Sequence, residues 1–235
     1  MRRRWTLLLL AALSLTAAHP PAQAGAQAFD HQCRTYASVL DGSLVGSRVG
    51  YGRLASDRVA LDAAVDELAA VSREAFDAWS RAHQLVYWIN AYNTAVLKAV
   101  ISNYPIGSVS DVSAPPLAGL VSDQIGFFYF QKLVFGGVKI NLYDLEHEVI
   151  RKRFPDPRVH FAINCASGGC PRLPRTAFHA ADLDAELDRE TRFFVNEARN
   201  LRIDDAAKLI HISSIFDWYR TDCTDWLTSS HPEMV

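Results

Sequence analysis

The segment SRAHQLVYWINAYNTAVLKAVISN, residues 80–103, decides the fold that we predict for this chain. Its apolar side chains recur at helical spacing in two adjacent stripes, so we expect one long helix from about Glu74 or Ser80 to Asn103. Pro105 follows and stops the helix. Because the segment is apolar on most of its sides, we expect this helix to be buried at the centre of the molecule.

Two asparagines, Asn90 and Asn93, lie three residues apart on the inner surface of this helix. An unpaired buried amide costs about 1–3 kcal/mol, so both side chains need hydrogen-bond partners. Two interpretations are open at this point. The asparagines either bind the backbone of neighbouring loops, or they line a site in which Asn90 orients a catalytic imidazole and Asn93 binds a substrate amide.

Helical and strand patterns follow one another along the rest of the chain without the regular alternation of a parallel sheet. Turn signals predict two hairpins, at residues 133–140 and 201–212. Helical patterns cover residues 57–71, 143–153 and 182–200, with a short helix after Ser214. The predicted fold class is therefore α+β, with several helices packed on a small, mostly antiparallel sheet around a buried central helix.

The N-terminal residues 1–24 are predicted to be a cleaved signal peptide. Three arginines at positions 2–4 precede an apolar run at 7–18 that is too short to span a bilayer comfortably. An uncleaved membrane anchor is the alternative. Residues 25–56 are expected to be a loop-rich segment with short helical turns, and residues 57–235 a single globular domain.

The charge of the chain limits its partners. The formal net charge is -2, and removal of a signal segment with three arginines and no acids makes it more negative. Such an acidic chain is a poor candidate for binding nucleic acid or anionic lipid. We expect a periplasmic or secreted protein without stable membrane insertion after signal cleavage. Its ligand would be an unknown small molecule or peptide, and no cofactor is expected.

All four cysteines, Cys33, Cys165, Cys170 and Cys223, lie in the part of the chain expected to be exported. An even number of cysteines in an oxidising compartment favours disulfides. Of the three possible pairings, we expect Cys33 with Cys223 and Cys165 with Cys170. By the loss of chain entropy in the unfolded state, the Cys33–Cys223 bond would stabilise the fold by about 5 kcal/mol and the Cys165–Cys170 bond by about 2 kcal/mol.

Reactive side chains are concentrated in RVHFAINCASGGCP, residues 158–171, which reads as a strand followed by a glycine loop. Cys165 is the candidate nucleophile, and it needs a base and a group that orients the base. We expect His147 to be the base, oriented by Glu146 or an asparagine. His160 is the second catalytic candidate: it is nearer in sequence, but strand alternation places it on the opposite face from Cys165 unless the strand ends early.

The reaction that this set predicts is acyl transfer or amide hydrolysis, with a lid formed by the long loop at residues 107–126. Three alternatives remain. The Cys165–Cys170 pair is a redox or structural disulfide, the cysteines and a histidine hold zinc, or the chain is a non-catalytic envelope-binding module with structural disulfides. The histidine-to-cysteine spacing matches no familiar zinc pattern, so no metal ligand is predicted.

Several motifs, in the same order, resemble the domain-of-unknown-function 547 family over residues of about 75–222. The motifs are YWINAYN at 87–93, NYP at 103–105, LYDLEH at 142–147, DPRVHFAINCAS at 156–167 with CP at 170–171, and SSIFDWY at 213–219. The resemblance implies no reaction, but it implies signature residues at Asn90, Asn93, Glu146, His147, His160, Cys165, Ser167 and Cys170. We assign ligand binding to Asn93, Ser167 and Cys170. Cys223 departs from the family pattern, which has an aromatic residue there.

Overall fold

The structure, a computed structural model, describes residues 28–114 and 125–234. The signal peptide expected at residues 1–24, and residues 115–124 of the expected lid, lie outside the described residues. No helix within the described ranges has the length and apolar character needed to cross a membrane.

Helices dominate the described part of the chain. The α-helices are α1 (Arg34–Ser43), α2 (Tyr51–Ser56), α3 (Val59–Ala69), α4 (Arg73–Asp77), α5 (Arg81–Ser102), α6 (Ile125–Phe130), α7 (Leu142–Asp144), α8 (Leu183–Asn196), α9 (Ile215–Trp218) and α10 (Arg220–Ser230). A π-helical segment, Leu145–Arg151, continues α7, and 3₁₀-helices cover Val109–Asp111, Pro157–Phe161 and Pro232–Met234.

The strands of the described residues form three separate antiparallel hairpins, so the predicted α+β class is confirmed. They are β1 (Leu44–Val45) with β2 (Arg48–Val49), β3 (Lys132–Phe135) with β4 (Val138–Asn141), and β5 (Leu201–Asp204) with β6 (Leu209–Ile212). In the second hairpin Phe135 pairs with Val138 across Gly136 and Gly137, which have φ values of 53° and 72°. Positive φ at both turn positions is what a two-residue hairpin of this kind requires, and glycine adopts it without strain.

Helix α5 is the buried centre that the sequence predicts. Ser80 caps it, because its Oγ accepts a hydrogen bond from the backbone N–H of His83 at 3.3 Å. Ile89, Tyr92 and Leu97 are fully buried, and a buried side chain of this size stabilises the fold by about 1.5–3 kcal/mol. The main core packs around one part of the helix, with Phe127, Phe135, Leu145, Ile150 and Phe178 among its other members.

The segment at residues 25–56 has more regular structure than predicted. Helix α1 places Tyr36, Val39 and Leu40 on one face at spacings of three and four residues, and this face packs against α3 and the last turns of α5. The glycines and serines of the segment obscured this pattern in the sequence.

The strand predicted over residues 159–163 is wrong. The chain forms the 3₁₀-helix Pro157–Phe161 instead. Asp156 starts the helix by accepting a hydrogen bond from the N–H of Arg158 at 3.0 Å, and Pro157 occupies its first position. This correction changes which side chains share a face, because the two-residue alternation of a strand no longer applies.

Candidate functional site

A cavity of about 610 Å³ lies between the disulfide loop, defined as residues 165–170, the π-helical segment and α9. It brings together six residues that the sequence singled out, Glu146, His147, His160, Cys165, Ser167 and Cys170. Its apolar lining is largely aromatic and includes Phe128, Tyr129, Tyr143, Trp218 and Tyr219. A large, partly apolar cavity with a few converging polar groups is the usual form of a ligand site.

Glu146 is a buried carboxylate held by two phenols. Its Oε2 accepts from Tyr92 Oη at 3.0 Å and its Oε1 from Tyr219 Oη at 2.5 Å. Burial, together with the neighbouring carboxylate, raises the pKa of both tyrosines well above the usual value. Both phenols therefore remain protonated donors at neutral pH, and they fix the carboxylate at the wall of the cavity.

His160 pairs with an aspartate that the sequence analysis missed. Its Nε2 lies 2.8 Å from Oδ2 of Asp222, and its ring stacks on Tyr219 with centroids 3.6 Å apart. Arg151 donates two hydrogen bonds to Asp222, at 2.7 and 2.9 Å, and this contact lowers the pKa of the carboxyl. An ionised Asp222 only accepts, so Nε2 of His160 carries the proton and Nδ1 carries the lone pair. This Nδ1 is buried and has no hydrogen-bond partner within the described residues.

His147 has the opposite tautomer. Its Nδ1 lies 2.5 Å from Nη1 of Arg151, and a guanidinium only donates, so the lone pair is on Nδ1 and is occupied. The proton is on Nε2, 4.0 Å from Oε1 of Glu146. Of the two imidazoles, His147 has its lone pair occupied, whereas Nδ1 of His160 has no partner within the described residues.

Both imidazoles are neutral at pH 7. Burial lowers the pKa of His160 and of His147, and in His160 this effect outweighs the opposing contact with Asp222. Neutral imidazoles can accept or donate a proton near neutral pH, as acid–base chemistry requires.

The lowered pKa values predict a pH dependence of stability. Below about pH 6.5 the unfolded chain protonates these histidines before the folded protein does, so the free energy of unfolding should decrease as the pH falls from 7.5 to 5.5. Urea unfolding at both pH values measures the slope, which should be smaller in His160→Gln than in the wild type. His211→Gln, at an exposed histidine of β6, is the control and should leave the slope unchanged. An equal slope in wild type and His160→Gln would contradict this explanation.

The predicted disulfide between Cys165 and Cys170 is present, with Cα atoms 5.9 Å apart. Cys165 is half-buried at the cavity, Cys170 is buried, and Ser167 is exposed on the loop between them. Cys165 therefore has no thiolate while this bond is intact.

The predicted pairing of Cys33 with Cys223 is wrong, because both are free thiols. Cys33 is buried next to α5, where its Sγ lies 3.4 Å from Nδ2 of Asn90, whereas Cys223 lies on α10, which packs against the Pro157–Phe161 helix. Cys33 is a member of the core cluster that includes α1 and α3, and Cys223 is not. Burial raises the pKa of Cys33 to about 12 and also raises that of Cys223.

These thiol positions predict a stepwise titration with Ellman's reagent. In the folded, unreduced protein, the half-buried Cys223 should react slowly and Cys33 should not react. Unfolding in urea without reductant should expose two thiols, and reduction should expose four. Cys223→Ser should remove the slow native reaction alone. If the unfolded, unreduced chain had no reactive thiols, Cys33 and Cys223 would have to be bonded to each other.

Asn90 and Asn93 bind loop backbone, the first of the two interpretations. Asn90 pairs with both backbone groups of Phe178, at 3.0 and 3.1 Å. Asn93 donates to the carbonyl of Ala162 at 2.9 Å and accepts from the N–H of Asn164 at 2.8 Å. Both side chains are buried, and within the described residues neither amide bonds an imidazole or lines the cavity, so these contacts support the structural interpretation and not the predicted catalytic and binding roles.

Four residues that shape the site were not predicted from the sequence: Tyr92, Arg151, Tyr219 and Asp222. Both tyrosines lie inside motifs that were already identified, and Arg151 is four residues after His147, on the same helical face. Asp222 is next to Cys223, but no local pattern marked it as a partner of His160. Within the described ranges, no group of three or more His, Cys, Asp or Glu side chains is placed to hold a metal ion.

The model of one protein family, described as "Protein of unknown function, DUF547", matches residues 76–195. No curated protein and no solved structure matches the chain. The matched residues include Asn90, Glu146, His160 and Cys165, and end before Asp222. Because this match spans just over half of the 235 residues, the chain belongs to the DUF547 family of proteins of unknown function.

Proposed function

We propose that the chain is an exported enzyme that transfers acyl groups or hydrolyses amides through Cys165, with His160 as the base. One observation carries the proposal: His160, with Nε2 bound to Asp222 and Nδ1 unpartnered within the described residues, lines the same cavity as Cys165. A nucleophile, a base and a group that orients the base are the elements that this chemistry needs.

The reaction begins with the removal of the disulfide. A dithiol reductant exchanges with the Cys165–Cys170 bond: the reductant is oxidised to its own disulfide, and Cys165 and Cys170 become free thiols. Cys165 Sγ then gives its proton to Nδ1 of His160, and the thiolate attacks the carbonyl carbon of the substrate. The leaving amine or alcohol takes that proton, and a thioester remains on Cys165. Water or a second amine cleaves the thioester, and Asp222 stabilises the imidazolium in both stages.

The rest of the cavity supports a substrate with an apolar or aromatic acyl part, since the lining includes Phe128, Tyr143 and Trp218. His147 presents an Nε2–H donor, and Glu146 is held in place by its two tyrosines. We assign the binding of a substrate carbonyl to His147, and the positioning of its ring to Arg151, which donates to Nδ1.

Export to the periplasm or the cell exterior is part of the same proposal. Its supports are the basic and apolar N-terminal segment and the Cys165–Cys170 disulfide, a bond typical of oxidising compartments.

The test uses Cys170→Ser, which frees Cys165 without reductant. With iodoacetamide and peptide mapping, Cys165 should be alkylated faster than Cys223 in this variant and should be unreactive in the unreduced wild type. With p-nitrophenyl acetate, an acetyl group should accumulate on Cys165. Cys165→Ser, which leaves Cys170 free, is the matched control and should show neither reaction. A folded Cys170→Ser variant that alkylates Cys165 no faster than Cys223 and forms no thioester refutes the proposal.

The second candidate is a non-catalytic envelope-binding module, and the closed Cys165–Cys170 bond favours it. In that case the disulfide only fixes the loop that lines the 610 Å³ cavity. The Cys170→Ser variant distinguishes the two functions, because a binding module forms no thioester on the freed Cys165, whereas the enzyme does.

A further inference from the structure

Two smaller cavities, of about 350 and 290 Å³, lie between the turn of the β1–β2 hairpin and the segment at residues 172–176. Both include Ser47, Arg172 and Leu173 in their walls. The larger one also reaches the disulfide loop, at Ser167 and Cys170. These two residues also line the 610 Å³ cavity of the candidate site. A second concave surface therefore adjoins the candidate site.

This surface is rich in arginine. Five arginines line the two cavities: Arg48, Arg172, Arg175, Arg189 and Arg199. They are accompanied by two carboxylates, Glu190 and Glu197. This surface therefore has a formal excess of positive charge, whereas the whole chain has a formal charge of -2.

The two carboxylates are already neutralised. Glu190 is almost fully buried and accepts from Arg172 at 3.0 Å and from Arg189 at 2.9 Å. Glu197 pairs with Arg199 at 2.8 Å. These ion pairs account for three of the five guanidinium groups.

Arg48 and Arg175 are left without a carboxylate partner within the described residues. Both are exposed, and Arg175 donates only to the backbone carbonyl of Gly46, at 3.4 Å. A guanidinium presents a planar fork of donors that matches the two oxygens of a carboxylate or phosphate group.

We propose that this surface, formed by Arg48, Arg172, Arg175 and the edge of the disulfide loop, binds an oxyanion, either a carboxylate or a phosphate group. Access is open beside the loop, because a Cβ atom added at Gly168 or Gly169 would meet no atom within 4 Å. The inference goes beyond the proposed function and does not depend on thiol chemistry, since the disulfide remains closed.

The test measures anion binding to the unreduced protein. Thermal unfolding is followed during separate titrations with succinate and with inorganic phosphate, with ionic strength held constant by sodium chloride. A ligand that binds only the folded state raises Tm in a saturable way. At least one of the two anions should raise Tm in this way, and the anion that does so shows whether the surface binds a carboxylate or a phosphate group. The double variant Arg48→Ala/Arg175→Ala should weaken the apparent affinity at least tenfold.

Arg153→Ala is the matched control, because Arg153 is an exposed arginine outside this surface and has no carboxylate partner within the described residues. It should bind the anion as the wild type does. Circular dichroism checks that each variant is folded, and calorimetry on the folded variants measures binding directly. The proposal is overturned if neither anion binds saturably, or if the double variant binds as tightly as Arg153→Ala. Neither result bears on the reactivity of Cys165, so the two proposals fail separately.

Discussion

Replacement of Asn93 by alanine is expected to lower the free energy of unfolding by about 2–5 kcal/mol. The side chain of Asn93 is almost fully buried and holds the carbonyl of Ala162 and the N–H of Asn164. Its loss leaves two backbone groups without partners in a place that water does not reach freely, at about 1–3 kcal/mol each. Urea unfolding, followed by circular dichroism, measures the change.

Asn196→Ala is the control for this prediction. Asn196 is exposed on α8 and donates to the carbonyl of Arg192, so its replacement should change the unfolding free energy by less than about 0.5 kcal/mol. A cost below about 1 kcal/mol for Asn93→Ala would show that the loop is held by other contacts.

Replacement of His160 by alanine in the Cys170→Ser background is expected to slow the acylation of Cys165 by about 10²–10⁴-fold. Within the described part of the chain, Nδ1 of this imidazole has no hydrogen-bond partner, and Asp222 orients the ring through Nε2. Asp222→Asn should have a similar effect, because an amide can donate to Nε2 and thereby moves the ring proton to Nδ1. The burst of p-nitrophenol at pH 7 measures the acylation rate.

His147→Gln separates the two candidate bases. If His160 is the base, His147→Gln should change the acylation rate less than His160→Ala does. His211→Ala, at an exposed histidine of β6, should leave the rate unchanged. A rate within about threefold of the parent for His160→Ala, in a folded variant, would remove His160 from the mechanism and leave Cys165 without its proposed base.

Much of the fold could be predicted from local patterns. The apolar stripes of α5 and its Ser80 cap identified the central helix, and the paired glycines identified the β3–β4 hairpin. These features depend on neighbours within a few residues, which is the range that a sequence pattern records. The short spacing of Cys165 and Cys170 likewise pointed to the disulfide that is present.

Other features depend on contacts between distant parts of the chain. Residues 159–163 alternate as a strand does, but Asp156 caps a 3₁₀-helix that ends at Phe161. The hydrogen bonds from Asn93 then hold the backbone of Ala162 and Asn164, directly after that helix. The Cys33–Cys223 pairing followed from counting cysteines, and counting does not tell that Cys33 is buried in the core next to α5 while Cys223 is half-buried on α10.

By itself, the sequence determined the family, the α+β class, the buried central helix and the set of reactive residues, because these follow from periodicity and from motif identity. Only the tertiary structure decided which of those residues meet. It brought Asp222 to His160 across 62 positions and Tyr219 to Glu146 across 73, and it turned both central asparagines toward backbone. The physical reason is that a hydrogen bond between distant segments depends on how helices pack, and packing is decided by the whole core.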